Sequence, residues 1–275
     1  MRIDSHQHFW ALERGDYGWL KPELKLLYKD FAPADLQPLL KSQKIDGTIL
    51  VQAAPTLAET HYMLELANAN DFIKGVVGWV DFESRDAPDT IAELASVPKL
   101  VGLRPMIHDI ENDDWMLGEQ LDPAFDAIIK HNLVFDALTF PRHLDRLKQL
   151  LARYPELKVV IDHGSKPDIE LAHFDDWAEQ MASIAASSSA SVKLSGLVTE
   201  AGNNWSVQSV KPYVDHLLTV FGPQRVIWGS DWPVCLLASS YQRWCEATDE
   251  LLSEQSITDK AAILGGNASS VYGLS

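Results

Sequence analysis

Gly47-Thr48-Ile49-Leu50-Val51 is an almost unbroken β-branched and aliphatic run. A strand with one wet face alternates polar and apolar residues, whereas a strand covered on both faces reads as continuous Val, Ile and Leu. This run is therefore expected inside a parallel sheet. Working outward, runs of similar character recur at 2–9, 74–82, 99–107, 133–139, 158–163, 191–197 and 225–231. Segments with helical spacing lie between them. Residues 33–44 set apolar side chains three and four apart, and 57–69 do so through Leu57, His61, Leu64 and Ala67 or Ala69. Asp122-Pro123 reads as an N-cap followed by a first-turn proline, and Pro141-Arg142 opens the next helix. Asp168 is expected to cap the one after it, and Gly222-Pro223 to end another. Ser187-Ser188-Ser189 reads as a helix-to-strand loop. Eight strand–helix units in 275 residues point to an α/β protein, a single (β/α)8 barrel over 1–275. A doubly wound sheet would share the strand character, so the count of eight decides between them.

Composition narrows the function classes. Lys plus Arg is 23 and Asp plus Glu is 39, a net charge of −16, which repels phosphate backbones and anionic bilayers. No nucleic-acid or membrane partner is expected. No apolar stretch approaches the ~20 residues that span a bilayer. The opening Met1-Arg2-Ile3-Asp4-Ser5-His6 lacks the apolar segment of a secretion signal. Cys235 and Cys245 are too few for a disulfide framework and fit a reducing cytoplasm. Glycine-rich phosphate loops and a Gly-x-Ser-x-Gly elbow are absent from the sequence.

In a barrel of this kind the chemistry sits at the C-terminal ends of the strands. Residues two apart on a strand share a face, so His6 and His8 are expected together at the end of the first strand, with Asp4 beneath them. His163 closes the sixth strand and Asp231 the eighth. Imidazoles and a carboxylate on one rim can hold a divalent cation or activate a water without one. Arg104 is expected to point inward after the fourth strand, where a guanidinium suits an oxygen-rich ligand or a structural ion pair. Gln52 and Ser195 end strands two and seven, to meet substrate hydroxyls or backbone groups. His108, Asp109, Trp115, Trp205 and Trp232 lie in loops after strands, where an aromatic face either covers a sugar ring or anchors the loop. His61, His131, His143, His173 and His216 fall in helices or at their ends and read as solvated or capping. Cys235 lies near the rim without a base and reads as structural.

Taken in order, Ile3-Asp4-Ser5-His6-Gln7-His8-Phe9-Trp10, Val160-Ile161-Asp162-His163, Lys193-Leu194-Ser195-Gly196-Leu197 and Trp228-Gly229-Ser230-Asp231-Trp232-Pro233 resemble the amidohydrolase superfamily. More narrowly they resemble its branch of sugar-lactone hydrolases, which includes L-fuconolactonases and L-rhamnonolactonases. Gly102-Leu103-Arg104-Pro105-Met106 with Asp114-Trp115 fits that branch too. The resemblance implies a (β/α)8 barrel, hydrolysis of a sugar-derived aldonolactone to the aldonic acid, and an active centre of His6, His8, His163 and Asp231. Arg104 stands where many superfamily members carry a metal-bridging lysine, and the fifth strand, near Phe135-Asp136-Ala137-Leu138, has no histidine. One zinc-like divalent ion is therefore expected instead of two, or none, since some relatives in the branch work without metal.

The expected assignment is Asp231 and His163 as catalytic, His6, His8 and Asp231 as metal ligands, and Arg104, Gln52 and Trp232 as substrate-binding. Asp231 takes a proton from water and returns it to the leaving ring oxygen. Two other readings stay open. A metal-dependent decarboxylase of an aromatic or unsaturated acid would want several cations, where the rim has one clear arginine. A non-catalytic sugar-binding barrel would not need imidazoles and an acid converging on one point.

Overall fold

A computed structural model describes residues 1–274. The strands β1 (Ile3–Gln7), β2 (Gly47–Val51), β3 (Ile73–Gly78), β4 (Leu100–Leu103), β5 (Val134–Ala137), β6 (Lys158–Ile161), β7 (Ser191–Leu194) and β8 (Val226–Trp228) form one parallel sheet in sequence order. The sheet closes beyond β8. Gln7 bridges Trp232 in parallel, the His8 N–H donates to the Trp232 carbonyl at 2.7 Å, and the Asp231 N–H donates to the His6 carbonyl at 2.7 Å. The architecture is the single (β/α)8 barrel expected from the eight apolar runs. Among the described residues, no helix is long and apolar enough to cross a membrane.

Helices α1 (Pro33–Ser42), α2 (Leu57–Ala69), α3 (Ala87–Ala95), α4 (Asp122–Lys130), α5 (Leu144–Arg153) and α6 (Asp175–Ser187) follow β1 to β6 in turn. A short α7 (Leu197–Glu200) and the long α8 (Val207–Phe221) follow β7, and α9 (Tyr241–Leu251), α10 (Ile257–Ala261) and α11 (Asn267–Val271) follow β8. Each main helix buries one stripe against the sheet, as α5 does with Leu144, Leu147, Leu150 and Leu151. In α2 the stripe differs from the expected one. Thr60, Met63, Leu64 and Ala67 are buried, while Leu57 and His61 face solvent. The Glu59 carboxylate sets this rotation by turning inward to accept the N–H groups of Ala53 at 3.0 Å and Ala54 at 2.6 Å.

Three helix starts also differ. Asp122 lies inside α4, with Leu121 at the cap, and its carboxylate is taken by Arg153 and Tyr154. Pro141 begins a 3-10 turn over Pro141–His143 that leads into α5. Asp168 sits ahead of α6 and accepts the Leu171 N–H at 3.2 Å, closing a loop turn and capping no helix. Gly222 ends α8 as expected, with φ of 71°.

The inside of the barrel is layered. One cluster, Ile3, Ile49, Val51, Val77, Val134, Val160 and Ile227, packs with Ala268 of α11 and with Tyr272 just after it. A larger apolar layer fills the space between strands and helices. Between Asp4 and Gln7 the pairing of β1 with β2 slips by one residue, a bulge. The slip changes the phase of β1, so Asp4 does not lie beneath the histidines. Asp4 turns outward, accepts the Ser230 N–H at 2.8 Å and the Tyr241 hydroxyl at 3.0 Å, and ties β1 to the β8 end and to α9.

Candidate active site

His6 comes from β1 and His8 from just past its end. His163 and Asp231 follow β6 and β8, and both hold left-handed backbone conformations, φ of 54° and 58°. Non-glycine residues adopt that region at a cost, and such strain gathers where side-chain aim matters. Here it turns an imidazole and a carboxylate back over the barrel mouth. Gly196 lets His163 in, because a Cβ there would stand 2.6 Å from Nδ1 of the ring.

Asp231 Oδ1 is the meeting point. It lies 3.3 Å from His8 Nε2, 3.7 Å from His6 Nε2 and 3.9 Å from His163 Nε2. The Val51 carbonyl accepts a hydrogen bond from His8 Nδ1 at 2.7 Å, so that nitrogen carries a proton. In the neutral ring His8 Nε2 then presents a lone pair to a carboxylate, which is repulsive unless a proton or a metal ion stands between them. This donor chemistry fits a divalent cation. The ligand atoms of His6, His163 and Asp231 all lie within 4.8 Å of one another. That trio differs from the expected His6, His8 and Asp231, because the Val51 bond holds His8 on the β2 side while the turned backbone of His163 brings its ring across. The described residues assemble one such donor group, with Arg104 just past the fourth strand and no histidine on the fifth.

Electrostatics follow from burial and neighbours. Burial favours a neutral Asp231, but His163, the His8 bond and His6 outweigh it and hold the carboxyl well below the usual range. Burial pushes His6 well below its ordinary value and His163 down to about 4, so both rings are neutral near pH 7. The unfolded chain takes up this proton near 6.5 and the folded chain only near 4. Stability is therefore lost as pH falls through that window, by roughly 3 kcal/mol from this residue. We expect the melting temperature of His163→Gln to fall less than that of the parent between pH 6.5 and 4.5, both measured in chelator. Parallel curves would refute the assignment.

Beneath the mouth lies a buried ion network. Lys193, fully buried on β7, binds Asp136 of β5 and stands 3.0 Å from Asp162 Oδ1 and 3.3 Å from His6 Nδ1. Asp162 Oδ2 accepts from Arg104 Nη1 at 3.0 Å, and the Tyr272 hydroxyl donates to Asp136 at 2.8 Å. Burial would raise Asp162, but Lys193 and His6 override it and hold it well below the carboxylate range. Composition and motif reading missed Lys193, Asp136 and Asp162. Their signal was present as charged residues inside runs that otherwise read as fully buried strands.

Arg104 is nearly fully buried, lies on the wall of the catalytic cavity and leaves its Nε without a partner. Gln52 is fully buried, donates to the Arg104 carbonyl at 2.8 Å and receives Arg104 Nη2 on its own carbonyl, so it positions the arginine and does not line the cavity. Trp232 is also off the cavity. Its indole packs edge-on against Phe9 and Phe31, at ring separations of 5.9 and 5.2 Å, because the chain after Asp231 turns into the apolar layer. Ser195 is a buried partner of His163, 2.8 Å from Nδ1. Trp205 anchors its loop on the Ala238 carbonyl.

The catalytic cavity holds about 260 Å³ and is walled by His8, Arg104, His108, His163, Lys166 and Asp231 among others. A second cavity of about 420 Å³ adjoins it across Trp19, Met106 and Asp109, includes Trp115, and contains none of the converging imidazoles.

The amidohydrolase family model matches residues 3–274, and the chain belongs to that family. It is a hydrolase. The L-fucono-1,5-lactonase of Burkholderia ambifaria is 44% identical over 278 residues, covering 98% of this chain and 95% of that protein. The crystal structure of an amidohydrolase from Burkholderia multivorans with bound zinc superposes with a TM-score of 0.94 at 35% identity, over all of both chains. A dihydroxybenzoic acid decarboxylase from Polaromonas, at 14% identity and a TM-score of 0.69, shares the fold alone.

Proposed function

We propose that this chain, acting as one barrel domain over 1–275, hydrolyses a sugar-derived 1,5-lactone, with L-fucono-1,5-lactone the first candidate, to the aldonic acid. The observation that carries the reading is the meeting of three imidazole nitrogens at Asp231 Oδ1 on the wall of a cavity sized for one sugar ring. A relative named for that reaction, 44% identical over almost the whole chain, supports it. Both cations on the cavity wall are already paired, Arg104 with Asp162 and Lys166 with Glu200, which favours an uncharged substrate over the carboxylates of a decarboxylase.

A zinc-like divalent ion held by His6, His163 and Asp231, with His8 beside it, would acidify water and polarise the ester carbonyl. The chain's own groups carry the rest. Asp231, ionised at working pH, accepts the proton of the attacking water as the new carbon–oxygen bond forms at the carbonyl carbon. Arg104, held by Asp162 and by the Gln52 carbonyl, offers its positive charge to the carbonyl oxygen. The ring carbon–oxygen bond then breaks, and Asp231 passes the proton to the departing oxygen, which becomes the free hydroxyl. We place the protein in a reducing cytoplasm, since Cys235 and Cys245 are buried free thiols.

A pH-indicator assay over a panel of aldono-1,5-lactones tests the reading, with acid release the expected result and inertness to every lactone the refuting one. Exhaustive chelation is expected to lower the rate by at least about 10²-fold, restorable with zinc. Full activity in a preparation shown to be metal-free would remove the ion from the mechanism.

A further inference from the structure

We propose that the second cavity is a glycosyl subsite, so that the protein accepts aldonolactones carrying a further uncharged sugar ring as well as free ones; the proposal rests on the lactonase reading above. The cavity holds about 420 Å³ against about 260 Å³ for the catalytic one, room for a second pyranose ring. Trp19, Met106 and Asp109 line both, so a group attached to a bound lactone reaches the second cavity along a common wall. His6, His8, His163 and Asp231 do not line it. Its occupant therefore takes no part in the chemistry and adds binding alone.

The apolar part of the lining is aromatic and held in place. Phe82 and Trp115 are buried, with ring centroids 6.0 Å apart, while Trp19 and Trp79 are half-buried. The Trp19 indole N–H donates to the Ala53 carbonyl at 2.7 Å. Thr60 clamps the Trp79 backbone, since its hydroxyl accepts the Trp79 N–H at 2.7 Å and donates to the Trp79 carbonyl at 2.8 Å. Indole rings fixed beforehand take up the C–H face of a sugar ring at little ordering cost. The polar part of the lining is acidic. Asp81, Glu83 and Asp109 are exposed carboxylates, and no Lys, Arg or His lies among the described lining residues. Carboxylates only accept hydrogen bonds, and the hydroxyls of a neutral sugar donate them. An anionic extension is repelled there. An alkyl chain covers the carboxylates without bringing a donor, which costs desolvation.

The test measures kcat/KM for L-fucono-1,5-lactone and for its 2-, 3- and 4-O-glucosyl derivatives, made by oxidising the corresponding reducing disaccharides, with the matching O-hexyl ethers as apolar controls. All three linkages are used because the direction of the second cavity selects one free hydroxyl of the ring. In the parent, at least one glucosyl lactone should be hydrolysed with a kcat/KM no more than about 10-fold below that of the free lactone, and at least about 10-fold above that of its hexyl counterpart. Trp79→Ala should lower kcat/KM for that glucosyl lactone by about 10- to 100-fold, through KM, and leave the free lactone within about 2-fold. Trp79→Leu replaces the alanine variant if that one does not fold. Rejection of all three glucosyl lactones, hexyl ethers accepted as well as glucosyl ones, or equal losses on free and glucosyl lactones in the Trp79 variant each overturn the subsite and leave the lactonase reading standing. A parent enzyme inert to L-fucono-1,5-lactone and to all its derivatives overturns that substrate reading and this proposal with it.

Discussion

Asp231→Asn is expected to lower kcat for lactone hydrolysis by about 10³-fold or more while the protein stays folded. The amide has the size of the acid and tolerates the left-handed backbone at this position, φ of 58°, because asparagine adopts that region more readily than most residues. The backbone bond from the residue 231 N–H to the His6 carbonyl, 2.7 Å, does not depend on the side chain. What disappears is the negative charge facing the three imidazole nitrogens and the site that takes the water proton. The measurement is kcat by acid release, alongside thermal melting to show that the fold survives. Retention of activity within about 10-fold would remove Asp231 from the general-base role.

Lys193→Met should have the largest effect on stability. The ammonium is fully buried between Asp136 and Asp162, with His6 Nδ1 at 3.3 Å. Removing one partner from a buried ion cluster leaves the others without compensation and costs about 3–5 kcal/mol. For a chain of this size that corresponds to a melting temperature lower by roughly 10 °C. Asp162 also braces Arg104 at 3.0 Å, so activity should fall together with stability. Adding Asp136→Asn removes one stranded carboxylate and should recover part of the loss, giving a coupling between the two sites that denaturant unfolding can measure. If Lys193→Met unfolds within about 1 kcal/mol of the parent, the network is not a support of the fold.

Gly47–Val51 shows why the barrel was legible in the sequence. A strand covered on both faces must be apolar on both, and that need is local enough to be read without knowing its neighbours. The same reasoning located all eight strands. It located His6, His8, His163 and Asp231 as well, because parallel strands in a barrel all end at one rim. Helix starts were less legible. Asp122 and Asp168 have the chemistry of caps, but Arg153 and Tyr154 claim the first and a loop turn claims the second. Competition of that kind is decided by partners distant in sequence. Glu59 is a further case, since a carboxylate on a helix gives no local sign that it will turn inward to bind the N–H groups of Ala53 and Ala54.

The sequence alone determined the number of strands, their parallel order and the rim residues that face a common mouth, since each follows from periodicity and from the position of polar groups at strand ends. Only the tertiary structure decided which polar groups share an atom. The bulge in β1 turned Asp4 away, the left-handed turns at His163 and Asp231 brought their side chains together, and the chain after Asp231 carried Trp232 into the apolar layer. Lys193 of β7 met Asp136 of β5 and Asp162 at the end of β6 through side-chain directions that the packed sheet sets. Side-chain direction at the end of a strand depends on one or two backbone angles, and those are set by packing against segments far away in the chain, which residue type and spacing do not encode.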